Sequence, residues 1–231
     1  MIDRKIFFDH IRMKPFGGSL RNGQVDGPMY ILDEWERRGL TDLRWLAYML
    51  ATTYHETDHT MQPIYEKGER SYFNKYEAGT SLGAVLGNTK SGDGYLFRGR
   101  GFVQLTGRAN YEKMHTILGV ALTTNPDLAL DPKNAAAIMF EGMSRGTFTG
   151  KKLTDYFNSK ITDWKNARRI INGTDRAGDI ADYAQDFYQA LVAAKSGIPA
   201  PVNMPVPVKP VPPKPPAPSF WASIIALFKR K

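Results

Sequence analysis

The chain has no cysteine among its 231 residues, so no disulfide holds it and nothing in it calls for an oxidising compartment. No apolar run is long enough to span a bilayer. The opening MIDRKIFFDHIRMKP is broken by charges where a secretory leader needs an apolar core, so the expected place of synthesis is the cytosol. There is no Lys/Arg-rich recognition helix, which argues against nucleic acid as a partner. Histidine is scarce, with four in all, and this limits any reading as a metal centre.

What is present is an ordinary globular composition, 42% hydrophobic and 23% charged, enough for one well-buried core. The net charge of +8 is unevenly spread. Lys209, Lys214, Lys229, Arg230 and Lys231 carry five of it after residue 197, where there is no acid, and the first 197 residues carry only +3. A basic balance suits an anionic partner such as phospholipid or a bacterial envelope polymer. Ten of the fifteen prolines lie between Pro199 and Pro218, an extended spacer. The expected organisation is a domain over 1–197, a linker over 198–218 and a short apolar-basic tail over 219–231. That tail is too short to cross a membrane, and its three final cations suit an anionic membrane interface; docking on the domain is the alternative.

The chain is organised around Trp45 to Arg70. Leu43, Leu46, Ala47, Leu50 and Tyr54 share one helical face, and Thr41 is a plausible N-cap. His55-Glu56 falls on the last turn before polar residues and Pro63 stop the helix, and Glu66 and Glu69 follow in a loop able to fold back. Carboxylates gathered at a buried helix end point to acid–base chemistry. The same residues also read as His55-Glu56-x-x-His59, the spacing of a zinc peptidase. Asp58 beside the second histidine, weak helix formers at Thr57-Asp58 and no third histidine at the right spacing count against zinc; a Glu such as Glu77 would have to complete it. No metal and no cofactor are expected.

Further along, residues 58–98 lose periodicity and are rich in glycine and aromatics, the pattern of an ordered functional loop. In the block from Gly99 to Tyr111, GRGFVQLTGRANY, Val103 and Leu105 alternate with Gln104 and Thr106. An extended backbone would bury the first pair and present the second to a cleft. Arg108 to Leu118 reads as a helix closed by Gly119. Asp131-Pro132 are N-cap and N1 of a helix with the stripe Ala136, Met139, Phe140 and Met143. Trp164, Ala167, Ile170 and Ile171 lead to Asn172-Gly173, and Ile180, Tyr183, Ala184, Phe187 and Leu191 line a last helix ending near Gly197. The domain is expected to be mainly α.

Taken together and in order, the His55-Glu56-Thr57 helix end, the downstream Glu, the GRGFVQLTGRANY block and Ile170-Ile171-Asn172-Gly173 resemble family 19 glycoside hydrolases. They resemble most the bacteriophage endolysins of that group. The resemblance covers roughly residues 1–195. It implies a two-lobed lysozyme-like fold with a cleft between the lobes and hydrolysis of β-1,4 bonds between N-acetylated amino sugars. It puts the general acid on Glu56 and substrate contacts on Gln104, Thr106, Asn110 and Asn172, with His55 and Tyr111 beside them. The base falls on Glu66 by the phage pattern or Glu69 by the plant pattern. The acid must hold its proton, and burial beside Tyr54 and the negative helix end would both favour that.

The resemblance further implies peptidoglycan glycan strands as substrate, with chitin as the alternative, and an enzyme working as a monomer. Synthesis in the host cytoplasm and action on the cell wall, after release through a separate membrane pore, go with it. A zinc peptidase and a non-catalytic wall-binding module are the rivals of other classes.

Overall fold

The computed structural model describes residues 1–200; the rest of the linker and the tail 219–231, with its expected membrane contact, lie outside the described residues. In chain order the α-helices are α1 (Arg4–Met13), α2 (Asn22–Arg37), α3 (Leu43–Glu56), α4 (Ser81–Val85), α5 (Asp93–Leu96), α6 (Arg108–Leu118), α7 (Pro132–Arg145) and α8 (Ala177–Ser196). The two short strands β1 (Ile64–Tyr65) and β2 (Arg100–Gly101) pair antiparallel, Ile64 opposite Gly101 and Tyr65 opposite Arg100. The fold is mainly α, as expected.

One lobe is built on α3. Every residue from Leu46 to Tyr54 is buried, so this helix is wrapped on all sides rather than along a single stripe. It packs most extensively on α8, which also carries α1, while α2 lies against α7. Each large apolar side chain buried this way contributes roughly 1.5–3 kcal/mol. The helix starts one residue later than the sequence implies. Asp42, not Thr41, is the N-cap: its carboxylate accepts from Arg44 N at 3.0 Å and also takes the Arg44 guanidinium.

The other lobe spans the segment without periodicity. A 3₁₀ helix (Arg70–Tyr76), α4, α5 and the β1–β2 pair are joined by polar side chains bonded to backbone. Asn88 donates to Tyr76 O at 2.7 Å and accepts from Arg108 N at 2.8 Å. Asp93 accepts from Thr89 N and Lys90 N and is bridged by Arg108, which holds its carboxyl below the usual range against the opposing effect of burial. These local bonds take the place of helical periodicity, and Phe73, Tyr76, Phe97 and Phe102 join the common core.

The GRGFVQLTGRANY block differs from the expected extended strand. Arg100 and Leu105 exchange both backbone hydrogen bonds, so Gly101 to Gln104 close a tight turn. Gln104 sits at φ 54°, in the left-handed region. Alternation therefore fails, and Val103, Gln104, Leu105 and Thr106 are all buried. Helix α6 and its glycine end are as read, with Gly119 at φ 67°. The Asp131 cap also holds, accepting from Lys133 N and Asn134 N.

Candidate active site

Helix α3 ends at Glu56 because Thr57 turns its own hydroxyl onto Thr53 O, at 2.7 Å, and accepts Met61 N at 3.0 Å. Asp58, His59 and Met61 then follow with φ of 53°, 63° and 58°, so the chain leaves the helix at once. This removes the premise of the zinc reading, which needs both histidines on one helical face. His59 instead stacks on the Tyr54 ring, centroids 4.1 Å apart and nearly parallel. Among the described residues no group of three or more His, Cys, Asp or Glu is placed to hold a metal.

The loop from Glu56 to Glu66 is clamped by α2. Gln24 donates to His59 O at 2.9 Å, and Gln62 donates to Gly23 O at 2.6 Å. A Cβ on Gly27 would lie 1.7 Å from Met61 O, so only glycine lets the helix come this close. Clamping this loop fixes the spacing of the two carboxylates at its ends.

Glu56 finds its partner on a distant element. Its Oε1 accepts from Arg168 Nη1 at 2.6 Å, with both side chains almost wholly out of solvent. Arg168 stands on the 3₁₀ helix Asn166–Ile170, gives its Nε to Asp175 O, and accepts Asn172 N on its own carbonyl. Asn172 is thus tied to the element that carries Arg168, and its Oδ1 accepts Gly173 N. Neither Arg168 nor Tyr76 is singled out by motif. The signal for Arg168 was a charged residue falling within the apolar spacing of Trp164, Ala167 and Ile171.

Glu66 is buried and held from two sides: Tyr76 O–H donates to Oε1 at 2.8 Å, and Gly99 N–H to Oε2 at 3.1 Å. Its own N–H donates to Gly99 O at 2.7 Å, extending the β1–β2 pairing by one residue. Gln104 and Glu66 meet over the same face of Gly99: a Cβ there would lie 2.8 Å from Gln104 Oε1 and 3.1 Å from Glu66 Oε2. Gln104 spends its amide on Ile64 O and Gly101 O, Thr106 donates to Gln104 O, and Asn110 donates to Thr106 O. Glu66, Gln104, Thr106 and Asn110 therefore form one connected cluster.

Glu69 is exposed and makes no side-chain cap bond; its carbonyl begins the turn of Arg70–Tyr76. Tyr111 is fully buried, its hydroxyl donating to Arg98 O and accepting from Arg100. Burial pushes that hydroxyl up to about 12, and the residue is core rather than a surface for substrate. His55 is half-buried at the helix end, and burial lowers its affinity for a proton.

No protein-family profile matches the chain, and no curated protein matches it. Among the solved structures similar in fold are two of chitinase C. One is chitinase C from Streptomyces griseus HUT6037, at 19% identity and a TM-score of 0.57, covering 81% of this chain and 77% of that one. The other is a point mutant of chitinase C, at 18% identity and a TM-score of 0.50, covering 83% and 92%. The mainly α architecture is that of the lysozyme-like fold of those chitinases.

Proposed function

We propose that the chain is a glycoside hydrolase that cuts β-1,4 bonds between N-acetylated amino sugars. Its substrate is the peptidoglycan of a bacterial wall, in the role of a bacteriophage endolysin. The observation that carries this is the contrast between two buried carboxyls on one clamped loop, Glu56 held by a cation and Glu66 held by two neutral donors. Glycoside hydrolysis needs two such groups, one to protonate the leaving oxygen and one to activate water or attack carbon.

In this reading Glu56 carries a proton when substrate is bound and gives it to the glycosidic oxygen, and Arg168 holds the carboxylate that this leaves. Glu66 takes a proton from the attacking water, its two oxygens steered by Tyr76 and Gly99. Gln104 presents Oε1 beside Glu66 Oε2, over the same face of Gly99. An inverting reaction needs room for a water between the pair, roughly 6.5–9.5 Å from carboxyl to carboxyl. The enzyme acts as a monomer on the glycan strands, is made in the host cytoplasm, and reaches the wall through a separate pore.

The test is digestion of purified peptidoglycan with mass spectrometry of the new ends and NMR of the first-formed anomer. New reducing sugar ends with inverted configuration are expected; new peptide ends alone would sink the proposal. Chitin is the second reading, favoured by the activity in the name of the structural neighbours. It is tested by the same assay on N-acetylglucosamine oligomers.

A further inference from the structure

In the helical lobe arginines are met by acids: Arg4 by Asp33 and Glu36, Arg38 by Glu34 and Glu141, and Arg44 by Asp42. In the lobe of the β1–β2 pair Arg100 and Arg108 are met by acids too, but three other cations lie on aromatic rings instead. The Arg98 guanidinium lies between two tyrosine rings, 4.5 Å from the centroid of Tyr65 and 4.1 Å from that of Tyr95. Arg70 covers Tyr95 at 4.7 Å, and Lys75 stands 3.3 Å over Tyr72. Among the described residues none of these three cations forms an ion pair. Asp127, whose charge reaches Arg98, is already bound by Arg100 at 2.9 Å.

Stacking fixes a guanidinium's plane while leaving its N–H edges open, which prepares it for a carboxylate at low entropic cost. One edge of Arg98 is anchored on Tyr95 O at 2.9 Å, and Arg70 and Tyr65 are exposed. Tyr65 directly precedes Glu66, and alternation along β1 turns the two side chains to opposite sides of the strand. The cations thus sit beside the cluster around Glu66 without entering it.

We propose that Arg70 and Arg98, on their tyrosine platform, bind the carboxylates of the peptide stems that branch from wall glycan. The surface selects peptide-bearing peptidoglycan over a neutral amino-sugar polymer. This rests on the reading of the chain as a wall-glycan hydrolase. A neutral polymer offers these cations nothing, whereas stems carry carboxylates off the strand whose sugars reach Glu66.

The experiment measures sedimentation of the full chain with peptidoglycan free of teichoic acid, and with the same glycan after an amidase has removed its stems. The wild type is expected to bind the intact material about tenfold more tightly, the scale of one charge-assisted hydrogen bond. In Arg70→Gln/Arg98→Gln that preference disappears, while cleavage of stripped glycan stays at the wild-type rate. The exposed Arg70→Glu alone weakens binding to intact walls and guards against misfolding at the half-buried Arg98. Equal affinity of wild type for intact and stripped glycan overturns the proposal. So does equal loss on both materials. A wild-type preference for stems without any glycan cleavage would instead refute the hydrolase reading and leave the binding surface standing.

Discussion

The two candidate carboxyls are neighbours on one loop, yet the protein stabilises them by opposite means. Glu56, at the end of α3, is neutralised by a buried arginine carried on a remote element, Arg168. Glu66, beside the β1–β2 pair, has no cation in contact among the described residues and relies on a tyrosine hydroxyl and a backbone N–H. A buried ion pair is costly to break from either side, because the surviving partner is a charge with no compensation. A carboxyl held by neutral donors leaves behind only hydrogen-bonding groups that can find other partners. The same chemical edit should therefore affect activity alike at the two positions and stability unequally.

The largest expected effects break the comparison at its chemical end. Glu56→Gln and Glu66→Gln should each reduce peptidoglycan cleavage by about 10²–10⁴-fold, the usual contribution of an acid or base. Glu69→Gln, at an exposed position, should leave the rate unchanged; full loss there with Glu66→Gln active would reverse the assignment. Denaturant unfolding of the same proteins separates the two supports. Glu56→Gln should cost about 3 kcal/mol through the stranded Arg168 charge, against about 1 kcal/mol for Glu66→Gln.

Arg168 sharpens the point from the other partner. Arg168→Met should destabilise by about 3–5 kcal/mol when Glu56 is present and by much less in the Glu56→Gln background. Additive losses in that cycle would mean that the two side chains stabilise the fold independently.

These contrasts also show what the sequence could reveal. The helical lobe was legible because its physics is periodic: apolar spacing marked α3, α7 and α8, and Asp131-Pro132 and Gly119 marked helix ends. Glu56 and Glu66 were legible by motif, and both fall at buried, held positions. The partners were not, since Arg168 lies 112 positions from Glu56 and is brought there only by packing. The GRGFVQLTGRANY block misled in one respect. Alternation predicts a strand, but Gln104 adopts a left-handed conformation that closes a turn, and this buries the residues expected to face a cleft. Tyr111 was misread for a related reason, as a motif gives adjacency in sequence and says nothing of which side a helix buries.

The loop that spaces the carboxyls depends on a close approach that can be tested without touching either group. In Gly27→Ala the new methyl would sit 1.7 Å from Met61 O, and because the obstacle is backbone the loop itself must move. Overpacking of this kind costs about 1–3 kcal/mol. The shift should also lower the catalytic rate on peptidoglycan, by a factor on the order of 10², since an ångström of misplacement is enough for that. Unchanged kinetics in a destabilised protein would show that the clamp serves folding alone.

The smallest effect concerns His55, next to Glu56 and buried enough that its proton affinity falls below the ordinary value of 6.5. Glu56 opposes that lowering, while Arg168, Arg176 and His59 reinforce it. Above that value the imidazole is neutral in both folded and unfolded chains and contributes nothing to the pH dependence. As pH falls below it, the unfolded chain takes up a proton that the folded chain refuses, so stability drops with falling pH until the folded His55 also titrates. His55→Gln removes the difference. The unfolding free energies of wild type and variant should keep a constant offset above about pH 7 and depart from it between pH 6.5 and 5, the wild type falling faster. Parallel curves across that interval would mean that His55 is solvated in the folded protein, and the helix end would then be open to water where the ion pair needs it closed.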